Sequence, residues 1–171
     1  PRGTHILSTK DLCLVKHLRK MMDAGIDSFK VEGRTKSLYY VSAVAKAYRE
    51  AIDLLWENPN ADMQPYYEEL LKVGNRGYTT GFYLDEKDHE GYSYDVSKGL
   101  AGSDFLFEVW DKTQKEENNF YKVKIKNKIL VNDKIEIITP NECFETTVTK
   151  IYDKDLLEEK EVGNTNDEIY V

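Results

Sequence analysis

Apolar residues recur three and four apart through the first part of the chain, to about residue 73. From about residue 105 they alternate with polar ones, so a helix-rich segment precedes a β-rich one. Thr4-His5-Ile6-Leu7 reads as a short β run. Ser8 or Thr9 can cap the helix expected next. Asp11 falls in its first turn, where the helix dipole favours negative charge, and Leu12, Val15, Leu18 and Met22 recur at helical spacing. Arg19 and Lys20 lie toward its end and Gly25 stands where a left-handed C-terminal cap is wanted, which predicts a helix over 9–24.

Asp27-Ser28-Phe29-Lys30-Val31-Glu32 predicts a second strand and Gly33-Arg34-Thr35-Lys36 the loop after it. Ser37 then opens a long helix whose stripe is Leu38, Val41, Ala45, Tyr48, Ile52 and Leu55, running to Trp56 and ended by Asn58-Pro59-Asn60. A third, short helix is expected from Pro65 to Val73, with proline near its first turn. Strand, helix, strand, helix with short loops is the pattern of parallel βα units. Ile6, Phe29 and Val31 on the inner strand faces call for neighbouring strands that these two units do not supply.

Beyond Gly74 the chain turns to Tyr, Gly, Asp and Ser, and 75–103 reads as a linker. Strands are expected at 105–110, 119–125, 134–138, 145–151 and 168–171, with polar turns between them, as in a small antiparallel β-barrel. The expected organisation is thus α+β: a βαβα portion at 1–74, a linker at 75–103 and a small β-barrel at 104–171.

Composition narrows the classes of function. The chain has 171 residues, 40% apolar and 32% charged, which suits an ordinary globular protein, and no apolar run is long enough to span a membrane. It opens on Pro1-Arg2-Gly3-Thr4 without an initiator Met or a signal-peptide pattern, so it is expected to be a piece of a longer protein. Cys13 and Cys143 lie far apart with no CxxC or Cys/His spacing, which argues against a disulfide framework and for a reducing, cytoplasmic setting. The net charge of −7 is uneven: residues 1–50 hold ten Lys/Arg against five Asp/Glu, or +5, leaving −12 for the rest. Only the first segment is attractive to phosphate. No Ser/His/Asp, HExxH or Walker arrangement is present. His5 lies beside the expected strand rim, while His17 and His89 read as ordinary helix and loop residues.

Asp27 to Ser37, followed by Tyr40 and by Ala47-Tyr48-Arg49-Glu50-Ala51-Ile52-Asp53, resembles a stretch of the U32 family of collagenase-like proteases. Asn75-Arg76-Gly77-Tyr78-Thr79-Thr80-Gly81-Phe82 resembles a second stretch. Lys126-Asn127-Lys128 and Val131-Asn132-Asp133 are similar to the C-terminal domain of the family's tRNA hydroxylation branch. The resemblance implies the last βα units of a TIM-like barrel followed by a small antiparallel β-barrel domain. It also implies a whole protein with an iron–sulfur cluster held by four cysteines, which hydroxylates tRNA or rRNA bases, or ubiquinone precursors, with a small anionic oxygen donor such as prephenate. A collagenase-like peptidase and a non-catalytic RNA- or substrate-binding module are the alternatives. The cysteine-rich stretch is absent from this chain, so no cluster and no catalysis are expected of the fragment alone. Cys13 lies near where some members place a fourth ligand, and it also reads as a buried core residue on a helix.

At the C-terminal end of a last barrel strand, Glu32, Arg34 and Lys36 fall where barrel enzymes place working groups. Arg34 can make a bidentate contact to a carboxylate or phosphate, with Glu32 as its catalytic companion. The same two residues can equally pair with neighbours or cap the next helix. Arg76 and Tyr78, in a loop flanked by glycines, can reach a substrate or simply form a domain-joining turn. Lys122, Lys124, Lys126 and Lys128 alternate with Tyr121, Val123 and Ile125. That spacing predicts four ammonium groups on one face, suited to a phosphate backbone or to blocking edge aggregation. An exposed partial barrel is further expected to self-associate.

Overall fold

The segment after Thr9 is not one helix. In the computed structural model, which describes residues 9–84, 102–115 and 118–171, Asp11–Leu12 form strand β1, Val15–His17 a single 3-10 turn and Leu18–Asp23 the short helix α1. Strand β1 pairs in parallel with β2, Tyr78–Thr79, through Asp11 N–H to the Gly77 carbonyl and Cys13 N–H to the Thr79 carbonyl, each 2.9 Å. Asp11 therefore does not serve a helix N-terminus, because its carboxylate is engaged by Arg76 and its backbone N–H by Gly77. Gly25 is where the sequence puts it: at φ +82° its N–H bonds the Met22 carbonyl and closes α1. The run 4–7 with His5, and most of 75–103 with His89, lie outside the described residues.

Residues 27–32 do not form the expected strand. Among the described residues no backbone hydrogen bond joins this stretch to a neighbour, and β propensity without a ladder does not hold a strand. Phe29 still packs partly against the core, whereas Val31 is exposed.

Helix α2, Leu38–Glu57, starts where Ser37 Oγ accepts the Tyr40 N–H at 3.1 Å. Its buried stripe is Val44, Ala47, Ala51 and Leu55, so the expected stripe is rotated: Leu38, Val41 and Ala45 face outward, and only Leu55 is fully buried in both. The two alanines let α3, Gln64–Lys72, pack closely against this face, and close packing outweighs the larger side chains on the adjacent face. Val15 and Leu18 from the start of the unit, with Met63, Leu70 and Val73 around α3, complete its core.

Contacts divide the chain into two units, Pro1–Ser103 and Asp104–Val171. In the second, β3 (Phe107–Lys115) and β4 (Asn118–Ile125) form an antiparallel ribbon with a bulge between Val109 and Asp111. There follow β5 (Ile129–Leu130), β6 (Lys134–Ile138), β7 (Cys143–Thr147), β8 (Ile151–Tyr152), β9 (Glu159–Lys160), β10 (Val162–Gly163) and β11 (Glu168–Tyr170). The single strand expected at 145–151 is split into β7 and β8. The ladders make a five-stranded sheet in the order β3-β4-β11-β8-β9 and two pairs, β5 with β10 and β6 with β7, all antiparallel. Val123, Ile125, Ile129, Ile151 and Ile169 fill the core. Asn132, at φ 75°, makes the tight turn between β5 and β6, and the Asp133 carboxylate closes it by accepting the Leu130 N–H at 2.7 Å.

Candidate functional site

Three segments far apart in sequence meet on Asp11. Its Oδ2 accepts the Arg76 backbone N–H at 3.1 Å and its Oδ1 accepts Arg76 Nη2 at 3.2 Å, while Lys36 Nζ stands 3.7 Å from Oδ2. One carboxylate faces two cations, so the junction keeps an excess positive charge. Arg76 is the more exposed of the two cations, and the Asp11 side chain is only 16% exposed. The loop carrying Arg76 is rigidly built. Buried Asn75 donates to the Val73 carbonyl at 2.8 Å and accepts the Gly77 N–H at 2.9 Å. Gly77 takes a φ of +82° that an L side chain resists.

Lys36 is delivered by a tight turn in which its N–H bonds the Gly33 carbonyl at 3.0 Å, and its ammonium lies 4.8 Å from the centre of the Tyr40 ring. A Cβ on Gly33 would sit 2.7 Å from Val41 Cγ2, so the loop presses directly on α2. Glu32 accepts the Arg34 N–H at 2.8 Å and so shapes the same loop. The Arg34 guanidinium, exposed, has no ion-pair partner among the described residues. The structure thus brings Lys36 and Arg76 together on Asp11, with Glu32 and Arg34 in the loop leading to Lys36.

Tyr78 faces inward. Its hydroxyl donates to the Leu70 carbonyl at 2.7 Å and its ring meets Tyr67 edge-on at 5.8 Å. Burial first, then Cys13, Tyr40 and Asp11, push this hydroxyl above its ordinary range. Cys13 is buried in the core with its Sγ 3.7 Å from Tyr48 Oη, which also accepts the Leu14 N–H at 3.3 Å. Burial and the adjacent Cys13 thiol likewise raise the Tyr48 hydroxyl. Among the described residues no group of three or more His, Cys, Asp or Glu could hold a metal ion. Cys13 offers at most one thiolate to a cluster that needs four, so the ligand set in this chain does not by itself fit one.

The lysine row is less regular than alternation suggests. Lys122 and Lys124 lie on β4, but Lys126 and Lys128 fall beyond its end, and Tyr121 is 39% exposed rather than in the core. Lys122 pairs with Glu168 at 3.5 Å and Lys126 with Glu108 at 3.1 Å, while Lys124 Nζ lies 5.4 Å from the Trp110 ring. Lys128 is exposed. Burial opposes ionisation of Glu108, but hydrogen bonds from Lys126 and Trp110 outweigh it and hold the carboxyl below its usual value. A bare phosphate-tracking strip is therefore absent among the described residues of this strand. Asp11, Tyr40 and Tyr48 stand out in the sequence as helix or family-stretch residues, not as site residues. The signal for Asp11 existed only in its pairing with Arg76.

Residues 1–93 match the family model described as Peptidase family U32, and residues 102–171 the model of the Peptidase family U32 C-terminal domain. The chain is 34% identical to tRNA hydroxylation protein P of Haemophilus influenzae over 89% of its own length and 33% of the relative's. It is 35% identical to the protein of that name in Escherichia coli, over 81% of this chain and 30% of the relative. A collagenase of Porphyromonas gingivalis is 40% identical over 48% of this chain and 24% of its own. The chain thus spans about a third or less of the length of these relatives. No solved structure matches.

Proposed function

The chain belongs to peptidase family U32, and from that premise we propose that the protein containing it takes part in hydroxylation of tRNA bases, or of rRNA bases, in the cytoplasm. Coverage carries the reading: two relatives named for tRNA hydroxylation match across more than four-fifths of the chain, which must include both units. The excess positive charge at Asp11, Lys36 and Arg76 supports a small anionic oxygen donor such as prephenate as co-substrate. Arg34, with no ion-pair partner among the described residues, is the residue we assign to the donor's carboxylate, and Glu32 positions it through the loop. The barrel that the resemblance implies would place this loop at its C-terminal rim.

An iron–sulfur cluster would supply the redox chemistry in the whole protein, with Cys13 as its one candidate ligand here. Leu12, Val31, Leu38 and Val41, all exposed, support self-association of the chain in isolation, and a monomeric light-scattering mass at all concentrations overturns that.

A peptidase reading draws on the names of two relatives, the collagenase at 40% identity and an uncharacterized protease from Methanocaldococcus jannaschii at 43%, each over about half of this chain. The two readings separate by mass spectrometry of nucleosides from tRNA and rRNA of cells with and without the gene. Loss of a hydroxylated pyrimidine nucleoside, restored by the wild type but not by Arg34→Ala, supports hydroxylation. An unchanged profile transfers the weight to the peptidase.

A further inference from the structure

The five-stranded sheet has one face in the core and one face outside, and the outer face carries more aromatic surface than its position calls for. Register fixes which residues share it: Lys122 stands opposite Tyr170, Tyr170 opposite Tyr152, and Lys124 between Glu108 and Glu168. Phe120 is two residues from Lys122 on β4 and meets the Tyr152 ring edge-on at 5.5 Å, so it lies on the same face. Trp110 is the extra residue of the β3 bulge, 62% exposed, with its indole N–H donated to Glu108 at 3.3 Å and Lys124 over its ring. Four aromatic rings therefore stand on four consecutive strands, β3, β4, β11 and β8. Ammonium groups accompany two of them, since Lys150 Nζ lies 5.9 Å from the Tyr152 ring centre.

The core does not require these rings. It is filled from the opposite face by Val123, Ile125, Ile151 and Ile169, and a bulge that turns a tryptophan out to water adds nothing to it. Rings spread over adjacent strands with cations interleaved match what unpaired bases need, a flat apolar surface and nearby charge for the phosphate. The cations on this face are matched by Glu108, Glu159 and Glu168, so it is not a general polyanion surface. Duplex nucleic acid, which offers phosphate but no free base faces, is a poor fit.

We propose that this outer face, centred on Trp110 and Lys124, is a stacking platform for single-stranded RNA. The proposal rests on the RNA-modification reading and deepens it, by naming the part of the chain that grips unpaired nucleotides.

The test uses the full chain with Trp56→Phe, which leaves Trp110 as its one tryptophan, titrated with a short oligouridine and, separately, with an RNA duplex of equal charge. Stacking quenches Trp110 fluorescence with the oligouridine and not with the duplex. By anisotropy with labelled oligouridine and Trp56 retained, Trp110→Ala weakens binding by about 5- to 100-fold while Trp110→Phe restores most of it. Thermal melts show that both variants fold. Absence of quenching, equal binding by Trp110→Ala and wild type, or equal quenching by the duplex overturns the platform. The nucleoside profile reads the underlying function independently. Lost hydroxylation in deleted cells without oligouridine binding removes the platform alone, and oligouridine binding with an unchanged profile removes the hydroxylation reading alone.

Discussion

The two units hold their exposed charges in opposite ways. In the first, Asp11, Lys36 and Arg76 are gathered from positions up to 65 residues apart, and the site exists only once a parallel strand pair forms. In the second, Lys122 reaches Glu168 diagonally across the β4–β11 ladder and Lys126, just past the end of β4, reaches Glu108 on β3, so the pattern follows from the pairing of neighbouring strands. A site built across long sequence separation is sensitive to any change in the core beneath it, whereas a sheet surface tolerates exchange of its individual charges.

The two tryptophans allow that difference to be tested, since Trp56 lies on α2 and Trp110 on β3. The largest effect is expected from Leu55→Ala. This side chain is 1% exposed, and its truncation should lower stability by about 2–5 kcal/mol in urea unfolding read by Trp56. A normal Trp56 midpoint would break the account of the first core. Asp11→Ala comes next, at about 1–2 kcal/mol on the same signal, because it removes hydrogen bonds to a charged partner from a mostly covered carboxylate. Loss of less than that from Asp11→Ala than from Lys122→Ala would reverse the comparison.

Alkaline titration sharpens it further. Tyr48 and Tyr78 have hydroxyls raised above the ordinary value of about 10, so the native state holds their protons more tightly than the unfolded chain does. The associated stability is complete below pH ~10 and is lost as pH rises beyond it. The Trp56 midpoint should fall on that side, and Tyr48→Phe should flatten the slope; a slope unchanged by Tyr48→Phe counts against the assignment. The smallest effect is Lys122→Ala. Its exposed pair with Glu168 should change the Trp110 midpoint by about 0–1 kcal/mol.

Much of the architecture was legible as pattern. Ser37 as a cap, Gly25 as a left-handed stop, the helix near Pro65 and most of the β-rich segment follow from local preferences that the chain honours. Asp27–Glu32 and 9–24 depart from their local signals for different reasons: among the described residues the first has no ladder partner to hold a strand, and in the second tertiary pairing gives Asp11 to Arg76. The candidate site was legible by residue type at Lys36 and Arg76, but its centre was not.

The sequence by itself determined the family, the change from helix to strand near residue 103 and the turn and cap residues, because those depend on runs of neighbours or on φ restrictions at single positions. Tertiary structure decided which of two adjacent apolar faces of α2 is buried, that Tyr121 is exposed, and that Asp11 joins Lys36 and Arg76. Each of those outcomes is a competition between contacts distant in sequence, and no local spacing encodes which contact wins.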